Sequence, residues 1–314
     1  MYSLIIPVFR NQESLPDLLT ALTGMNSALD GKLEAIFVVD GSPDRCHALL
    51  RDALPRASFA SQLLLLSRNF GAFAAIRCGL QAATGNYFAV LAADLQEPPE
   101  LAVEFFHSLA RGEADVVVGT RDARADPLLS RIASSLFWRL YRRLINPEIP
   151  AGGVDVFGCN RNFRDQLLAL DERHSSLIGL LFWLGFRRKT VSYARRARQY
   201  GKSAWTLRRK ITYMLDSIFA FSDLPIRLLL LIGMIGISVA VLYGGTVLMF
   251  RWFGDLSVPG YAATITSILF FGGLNALGLG IIGSYVWRAY ANIQHRPLAV
   301  VMHSESFPAA KTST

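Results

Sequence analysis

The chain has 314 residues, of which 52% are apolar and 18% are charged, and its formal net charge is +8. This composition is too apolar for an ordinary soluble domain and too charged for membrane helices alone, so it indicates a mixture of the two. Disorder is excluded because the apolar residues suffice to build a core. The three cysteines are widely spaced and show no CxxC pattern, which argues against a disulfide framework and against a zinc site.

The first 200 residues alternate between strand and helix patterns. Buried strands are predicted at 4–8, 35–39, 63–66 and 87–92, and helices at 14–29 and 72–83. Polar residues follow each predicted strand, and in open α/β sheets the ligand binds beyond the carboxyl ends of the strands. The sequence therefore predicts an α/β domain over residues 1–200 with its site at that edge of the sheet.

A basic segment separates this domain from two apolar runs. Ten Lys and Arg residues and no acid lie between Arg187 and Lys210, so the rest of the chain has a net charge of −2. No charged residue occurs at 228–250 or at 261–287, and each run exceeds the roughly 20 residues that cross a bilayer as a helix. The sequence therefore predicts two transmembrane helices joined by a short loop at 251–260, and we expect the basic segment to face lipid rather than nucleic acid.

The distribution of Lys and Arg around the two helices predicts that both chain ends are cytoplasmic, and no signal-peptide pattern occurs at the N-terminus. We expect a cytosolic domain at 1–200, an amphipathic juxtamembrane segment at 201–225, the hairpin at 226–288 and a cytosolic tail at 289–314, all anchored to the inner membrane. A second element facing the bilayer is predicted at 128–144, where arginines alternate with aromatic and aliphatic residues. Glycines in the second helix would also allow a homo-oligomer.

Six motifs follow one another along the chain: Ile6-Pro-Val-Phe-Arg-Asn-Gln-Glu13, Val38-Val-Asp-Gly-Ser-Pro-Asp44, Ser67-Arg-Asn-Phe-Gly71, Ala92-Ala-Asp-Leu-Gln-Glu-Pro-Pro-Glu100, Gly119-Thr-Arg121 and Glu172-Arg-His174. Their order resembles that of family 2 glycosyltransferases, and more narrowly that of the polyprenyl-phosphate glycosyltransferases, which include dolichol-phosphate mannose synthase and bactoprenol glucosyltransferases. The resemblance includes the two-helix tail. It implies a GT-A fold, a nucleotide-sugar donor, a polyprenyl-phosphate acceptor and an inverting single displacement.

The resemblance also assigns roles to residues. The first loop would bind the nucleotide, the acid after the second strand its base or ribose, and Arg121 the phosphates. The implied catalytic residues are Asp94, Arg121 and Asp155; the nucleotide-sugar-binding residues are Pro7, Phe9, Glu13, Asp40, Arg68, Asp94 and Gln96; the acceptor- or diphosphate-binding residues are Arg131, Arg198 and Lys202. Asp94 and Gln96 would also hold a divalent cation, Mg²⁺ or Mn²⁺.

Three positions depart from the family pattern. Val39 replaces the first of two paired aspartates, Ala92 replaces the first carboxylate of the Asp-x-Asp motif, and Lys202 lies two places earlier than the family's lysine. One carboxylate and one amide give a divalent cation few protein ligands, although Mg²⁺ often keeps waters and takes ligands from substrate phosphates. Metal-dependent and metal-independent reactions therefore both remain open.

The acceptor chemistry needs few acids. A phosphate monoester has a second pKa of about 6, so at neutral pH it is already a nucleophile and needs no strong general base. Positioning and charge compensation become the main tasks, and Arg121, Arg198 and Lys202 are expected to supply positive charge to the departing diphosphate.

Other functions are weighed against this one. A catalytically impaired family member that acts as a scaffold or lipid-binding partner is the main alternative, since Val39 and Ala92 replace acids. A processive polysaccharide synthase would need a Gln-x-x-Arg-Trp motif and more helices, and a channel would need charged residues within the membrane segments. For the donor nucleotide, the resemblance to bacterial bactoprenol enzymes weakly favours UDP over GDP.

Overall fold

The computed structural model describes residues 1–121, 139, 142–143, 146–150, 153–172, 175–196, 207–253 and 260–310. The strands are β1 (Tyr2–Val8), β2 (Leu33–Val39), β3 (Ala60–Leu66), β4 (Tyr87–Val90), β5 (Val116–Arg121), β6 (Val156–Asn160), β7 (Arg188–Tyr193) and β8 (Val301–Phe307). The helices are α1 (Leu15–Ala28), α2 (Cys46–Ala53), α3 (Ala72–Ala82), α4 (Pro99–Ala110), α5 (Arg161–Ala169), α6 (Leu177–Trp183), α7 (Leu207–Phe221), α8 (Leu224–Phe253) and α9 (Tyr261–Ile293).

These strands form one mixed sheet in the order β7-β5-β6-β4-β1-β2-β3-β8. β1 pairs in parallel with β2 and β4, β2 pairs in parallel with β3, and β5 pairs in parallel with β7. β6 runs antiparallel to both of its neighbours, so β5 points in the same direction as β4. Six strands thus end at one edge of the sheet, and β6 begins there, which confirms the predicted α/β architecture.

The core lies on both faces of this sheet. Along β1 the side chains alternate, so that Leu4 and Ile6 join the cluster beneath α1, α2 and α4 while Ile5 joins the cluster on the opposite face. All seven residues of β2 are buried, as expected for a parallel strand covered on both faces. The four predicted strands and two predicted helices are confirmed, with ends that differ by a few residues.

The last strand comes from the C-terminal tail, for which the sequence predicted no structure. β8 pairs antiparallel with β3, from Ser61 opposite Phe307 to Leu66 opposite Val301. The Ser67 amide donates to the Val300 carbonyl (3.0 Å), and the ion pair between Arg51 and Glu305 fixes β8 to α2. The chain therefore returns to the sheet after both long helices.

Removing β8 is expected to destabilise the sheet. A chain that ends at Arg296 loses the cross-strand pairs along β3, each of which contributes about 0.2–1 kcal/mol, so its Tm should fall by about 5–10 °C. A chain shortened only by residues 311–314 serves as the control. Thermal unfolding in detergent measures both, and equal Tm values for the two truncations would contradict the expectation.

The two long helices project apolar side chains outward. Leu224–Thr246 of α8 and Phe270–Ile293 of α9 have mean hydropathies of 2.3 and 1.3, and 0% and 6% of these segments are buried. By length and composition each segment could cross a membrane. A core helix of a soluble domain would be mostly buried. Exposed apolar surfaces of this size indicate that lipid or another protein covers them.

Both helices are longer than predicted. α8 continues through Arg251 to Phe253, which shortens the predicted loop, and residues 254–259 lie outside the described part. α9 continues into the predicted tail as far as Ile293. The predicted juxtamembrane segment at 201–225 contains helix α7, which spans Leu207–Phe221. Of the element predicted at 128–144, only Arg139, Arg142 and Arg143 are described, and they are helical.

Helix α7 connects the sheet domain with the helical hairpin. On the domain side, the Tyr213 hydroxyl lies 2.6 Å from that of Ser176, and its ring contacts the ring of Phe73, at the start of α3, in a tilted arrangement with 5.8 Å between ring centres. On the hairpin side, Arg288 donates to Asp216 over 2.7 Å. Because α3 begins at the edge where the strands end, α7 lies beside that edge.

Candidate functional site

Asp40 organises the loop that follows β3. Its side chain follows β2 and is 3% exposed. One carboxylate oxygen accepts the Phe70 amide (2.7 Å) and the other accepts the Gly71 amide (2.8 Å). The side-chain amide of Asn69 donates to the Asp40 carbonyl over 3.2 Å. In this structure Asp40 therefore shapes the loop that carries Arg68, and a direct contact with base or ribose stays a prediction.

A second carboxylate, Asp44, joins the loops after β1 and β2. Asp44 accepts hydrogen bonds from the Ser42 hydroxyl (2.6 Å), the Cys46 thiol (3.1 Å) and the Gln12 amide (3.3 Å). Partial burial opposes the charge on Asp44, but these donors outweigh it and lower the pKa of the carboxyl. Burial and the neighbouring Asp44 raise the pKa of the Cys46 thiol to about 12. Cys46 is therefore a neutral structural donor.

The remaining residues predicted to bind the nucleotide lie along the same edge. Pro7 is part of β1 and pairs with Val38 of β2, while Phe9 follows in the loop under the guanidinium of Arg10. Glu13 is exposed just before α1. Arg68 is exposed and stacks over Phe70 with 4.0 Å between guanidinium carbon and ring centre.

The part of the site predicted to bind phosphates is built around Arg121 and Asp155. Arg121 ends β5, Asp155 directly precedes β6, and their side chains form a two-pronged ion pair in which Nη2 of Arg121 lies 2.7 Å from Oδ1 of Asp155. The Tyr193 hydroxyl at the end of β7 donates to the same carboxylate (2.9 Å). Burial and the charges of Asp155 and Glu97 raise the pKa of Tyr193, so its hydroxyl stays protonated and remains a donor.

Asp94 and Gln96 lie in the loop after β4. Beside them lie Glu97 of the same loop and Arg195, which follows β7, and neither was given a role from the sequence. The Gln96 amide donates to Asp94 (3.3 Å), and Oε1 of Gln96 accepts a hydrogen bond from the guanidinium of Arg195. The same guanidinium lies 3.5 Å from Glu97, a carboxyl that is 2% exposed. Burial raises the pKa of Glu97 to about 7; Arg195 and Arg121 oppose the shift, and Asp94 and Asp155 add to it.

The structure therefore brings Asp94, Gln96, Arg121 and Asp155 together around Glu97. This group is joined to the loop after β1 through the buried Ser14 hydroxyl, which donates to the Ala93 carbonyl (2.8 Å). Leu95, between Asp94 and Gln96, has a φ of 54°, a left-handed conformation that is uncommon for leucine and typical of functional loops. Arg131, Arg198 and Lys202 lie outside the described residues, and their roles stay predictions.

Half of the cations in the basic segment pair with acids of the same domain, which the sequence did not predict. Arg187 pairs with Asp115, Arg188 with Glu148 and Lys189 with Glu113. Arg195 and Arg196 lie beside Glu97 and Glu100. The reason is that β7 is an edge strand, and the cations in it and next to it in sequence meet acids of the same domain. The side chains of the other five cations, at 198, 202 and 208–210, are not among those described.

The donor set does not fit an all-protein metal cage. Ala92 offers no ligand, and the oxygen of Gln96 is directed at the cation of Arg195. Within the described ranges, no group of three or more His, Cys, Asp or Glu side chains could hold a metal ion. Asp94 is the one residue of the predicted pair that offers a carboxylate, the preferred ligand of Mg²⁺.

Four residues of the site received no role from the sequence: Glu97, Tyr193, Arg195 and Asp44. Glu97 and Asp44 stand within quoted motifs, so their positions were visible although their roles were not. Arg195 is one of ten cations in the basic segment. Spacing alone does not reveal which cation reaches the loop after β4, because β5 and β7 become neighbours only in the folded sheet.

This arrangement suits a ligand that has a polar part at one end and a group with several negative charges at the other. Backbone amides and carboxylates line the β1, β2 and β3 side of the edge, and guanidinium groups of Arg121 and Arg195 line the other. Arginine presents planar N–H donors that match phosphate oxygens.

Comparison with known proteins identifies relatives over nearly the whole chain. A profile described as glycosyl transferase family 2 matches residues 3–169. An uncharacterized glycosyltransferase of Synechocystis is 31% identical over 300 residues, which cover 95% of this chain and 94% of the relative. The bactoprenol glucosyl transferase of Shigella phage SfV is 29% identical over 304 residues, which cover 96% of this chain and 98% of the relative.

Among solved structures, glucosyl-3-phosphoglycerate synthase from Mycobacterium tuberculosis, in complex with Mn²⁺, UDP-glucose and phosphoglyceric acid, superposes with a TM-score of 0.51. The match covers 70% of this chain and 77% of that one at 16% sequence identity. At this identity the likeness speaks for the fold, and it confirms the GT-A type of α/β sheet that the resemblance implied.

Proposed function

Because the chain belongs to glycosyl transferase family 2, we propose that it transfers a sugar from a nucleotide sugar to the phosphate of a polyprenyl-phosphate carrier. The donor is a UDP-sugar in preference to a GDP-sugar, and the reaction takes place on the cytoplasmic face of the inner membrane. The observation that carries the proposal is the position of α7, which contacts both the edge of the sheet and the hairpin. A water-soluble donor and a lipid acceptor can meet there.

Two further observations support the acceptor and the orientation. Relatives named for a bactoprenol substrate match this chain along nearly its full length, including the two long helices. β3 precedes the hairpin and β8 follows it, yet the two strands pair. If α8 and α9 both cross the bilayer, the two flanks of the hairpin therefore lie on one side, in agreement with cytoplasmic ends.

In the proposed reaction, a phosphate oxygen of the acceptor attacks the anomeric carbon of the donor sugar. The new carbon–oxygen bond forms as the bond to the nucleoside diphosphate breaks, and the electron pair of that bond leaves with the diphosphate. Arg121 compensates the charge that develops on the leaving group, and Asp155 holds Arg121 in place. No general base is required, because the acceptor phosphate is already ionised.

The decisive experiment incubates the purified chain in detergent with undecaprenyl phosphate and a panel of UDP- and GDP-sugars, with and without EDTA. We expect a lipid-linked sugar from one UDP-sugar, detected by mass spectrometry. The EDTA arm is needed because the related synthase was crystallised with Mn²⁺. Absence of product from every donor, with and without added Mg²⁺ or Mn²⁺, would favour the scaffold alternative, in which Val39 and Ala92 mark a lost activity.

A further inference from the structure

We propose that the guanidinium of Arg195 supplies, at Gln96, the positive charge that a divalent cation would bring, so that a nucleoside diphosphate binds without metal. The inference rests on the proposed function for its ligand. It assigns Arg195 as a diphosphate-binding residue, and it deepens the role of the loop after β4.

The first argument is the chemistry at Gln96. Its side-chain oxygen, a predicted metal ligand, accepts a hydrogen bond from Nη2 of Arg195. The Arg196 amide also donates to the Gln96 carbonyl (2.9 Å), so the segment after β7 holds both the side chain and the backbone of this residue. A divalent cation bound to the same oxygen would lie within a few ångströms of a guanidinium, where like charges repel strongly.

The second argument is the loss of the first carboxylate. Ala92 provides no oxygen, so two of the three positions in this motif, Ala92 and Gln96, fit a metal poorly. The side chain of Arg195 remains 29% exposed, although Glu97 beside it is 2% exposed. The side chain of Arg195 is therefore held at Gln96 and Glu97, while part of it stays open to solvent close to the loop that contains Asp94.

The test measures nucleotide binding rather than turnover. Isothermal titration of the full chain in detergent uses UDP, with GDP in parallel, first in EDTA and then with Mn²⁺. We expect the wild type to bind UDP about equally in both buffers. Arg195→Ala should weaken binding in EDTA by about 10- to 100-fold, as expected for the loss of hydrogen bonds to a charged group. Arg195→Lys should be intermediate, because it keeps the charge but loses the planar donors.

A matched control and a reversal sharpen the test. Arg196→Ala removes a neighbouring cation whose side chain is 56% exposed and 3.7 Å from Glu100, but keeps the backbone contact to Gln96, so UDP binding should not change. The double variant Ala92→Asp with Arg195→Ala restores the acid and removes the competing cation. Its UDP affinity should recover only when Mn²⁺ is present.

The outcomes separate this inference from the proposed function. UDP binding by the wild type only with Mn²⁺, or unchanged binding by Arg195→Ala, would overturn the role of Arg195 while a lipid-linked product would still support the function. Metal-free UDP binding that depends on Arg195, without product from any donor, would support the inference and count against the transferase. Failure to bind either nucleotide in both buffers would refute both.

Discussion

Arg121→Ala should lower turnover by about 10²- to 10³-fold, the range found when one preorganised donor to a developing negative charge is removed. The ion pair with Asp155 uses two of the five N–H donors of the guanidinium, and the others can face a phosphate oxygen. The side chain is only 18% exposed and Tyr193 fixes its partner, so the charge is held in place before the donor binds. Preorganisation of this kind is the source of the expected effect.

The same fold provides a matched control. Arg187 forms an equally two-pronged pair with Asp115, with both N–O distances near 3 Å (3.0 and 3.1 Å), but it lies at the opposite end of the sheet and is 66% exposed. Arg187→Ala should leave turnover unchanged, because an exposed pair at that distance contributes about 0–1 kcal/mol to stability and nothing to the reaction. Arg121→Lys should retain part of the activity, since the charge remains but the planar donors are lost.

Initial rates with the active donor, together with Tm, check this prediction. The loss of Arg121 also leaves Asp155 with fewer donors, so a small drop in Tm is expected in addition to the loss of rate. Turnover of Arg121→Ala within threefold of that of wild type would show that this arginine does not carry the charge of the leaving group. An equal loss of rate in Arg187→Ala would point to a general effect of the substitutions.

The sequence alone predicted the sheet well for a physical reason. Runs such as residues 35–39 are wholly apolar because both of their faces are covered, and polar residues must follow where these strands end. Asp40 and Asp94 could therefore be assigned to one edge before the fold was known, whereas Arg121 was assigned only by the family resemblance. The two long helices were visible for a related reason, since lipid tolerates no charged side chains along such a stretch.

Interactions between distant segments could not be predicted in this way. β8 is mostly exposed and rich in polar residues, so its pattern does not differ from that of a tail, and only pairing with β3 makes it a strand. The partnership of Arg195 with Gln96 likewise depends on β7 joining β5 across the sheet. The ion pairs of Arg187 and Lys189 were not predicted either, because the partner acids, Asp115 and Glu113, lie elsewhere in the chain.

Gly41→Ala should be the most disruptive small substitution in the loops predicted to bind the nucleotide. Gly41 has a φ of +55°, and a Cβ there would meet the carbonyl carbon of Arg68 and lie 2.5 Å from the amide nitrogen of Asn69. Both neighbours are backbone atoms, which cannot turn aside as a side chain would. The loop that Asp40 holds through the Phe70 and Gly71 amides must therefore move as a whole.

Gly31→Ala separates this collision from the cost of the backbone conformation. Gly31 has a φ of +71°, but no atom lies within 4 Å of the added Cβ. The free energy of unfolding of the Gly31→Ala variant should fall by about 1–2 kcal/mol because of the left-handed conformation alone, and its affinity for UDP should not change. Gly41→Ala adds the collision, so we expect its free energy of unfolding to fall by more than about 3 kcal/mol and its Kd for UDP to rise more than about tenfold.

Thermal unfolding and UDP titration of the two glycine variants, purified in the same detergent, provide the comparison. Should Gly41→Ala match Gly31→Ala in both measurements, the loops after β2 and β3 do not need their close contact, and Asp40 acts on the nucleotide without first shaping the loop that carries Arg68. The expected difference would instead establish that the nucleotide side of the site depends on backbone contact between two neighbouring strand ends, which an acid and a glycine at adjacent positions make possible.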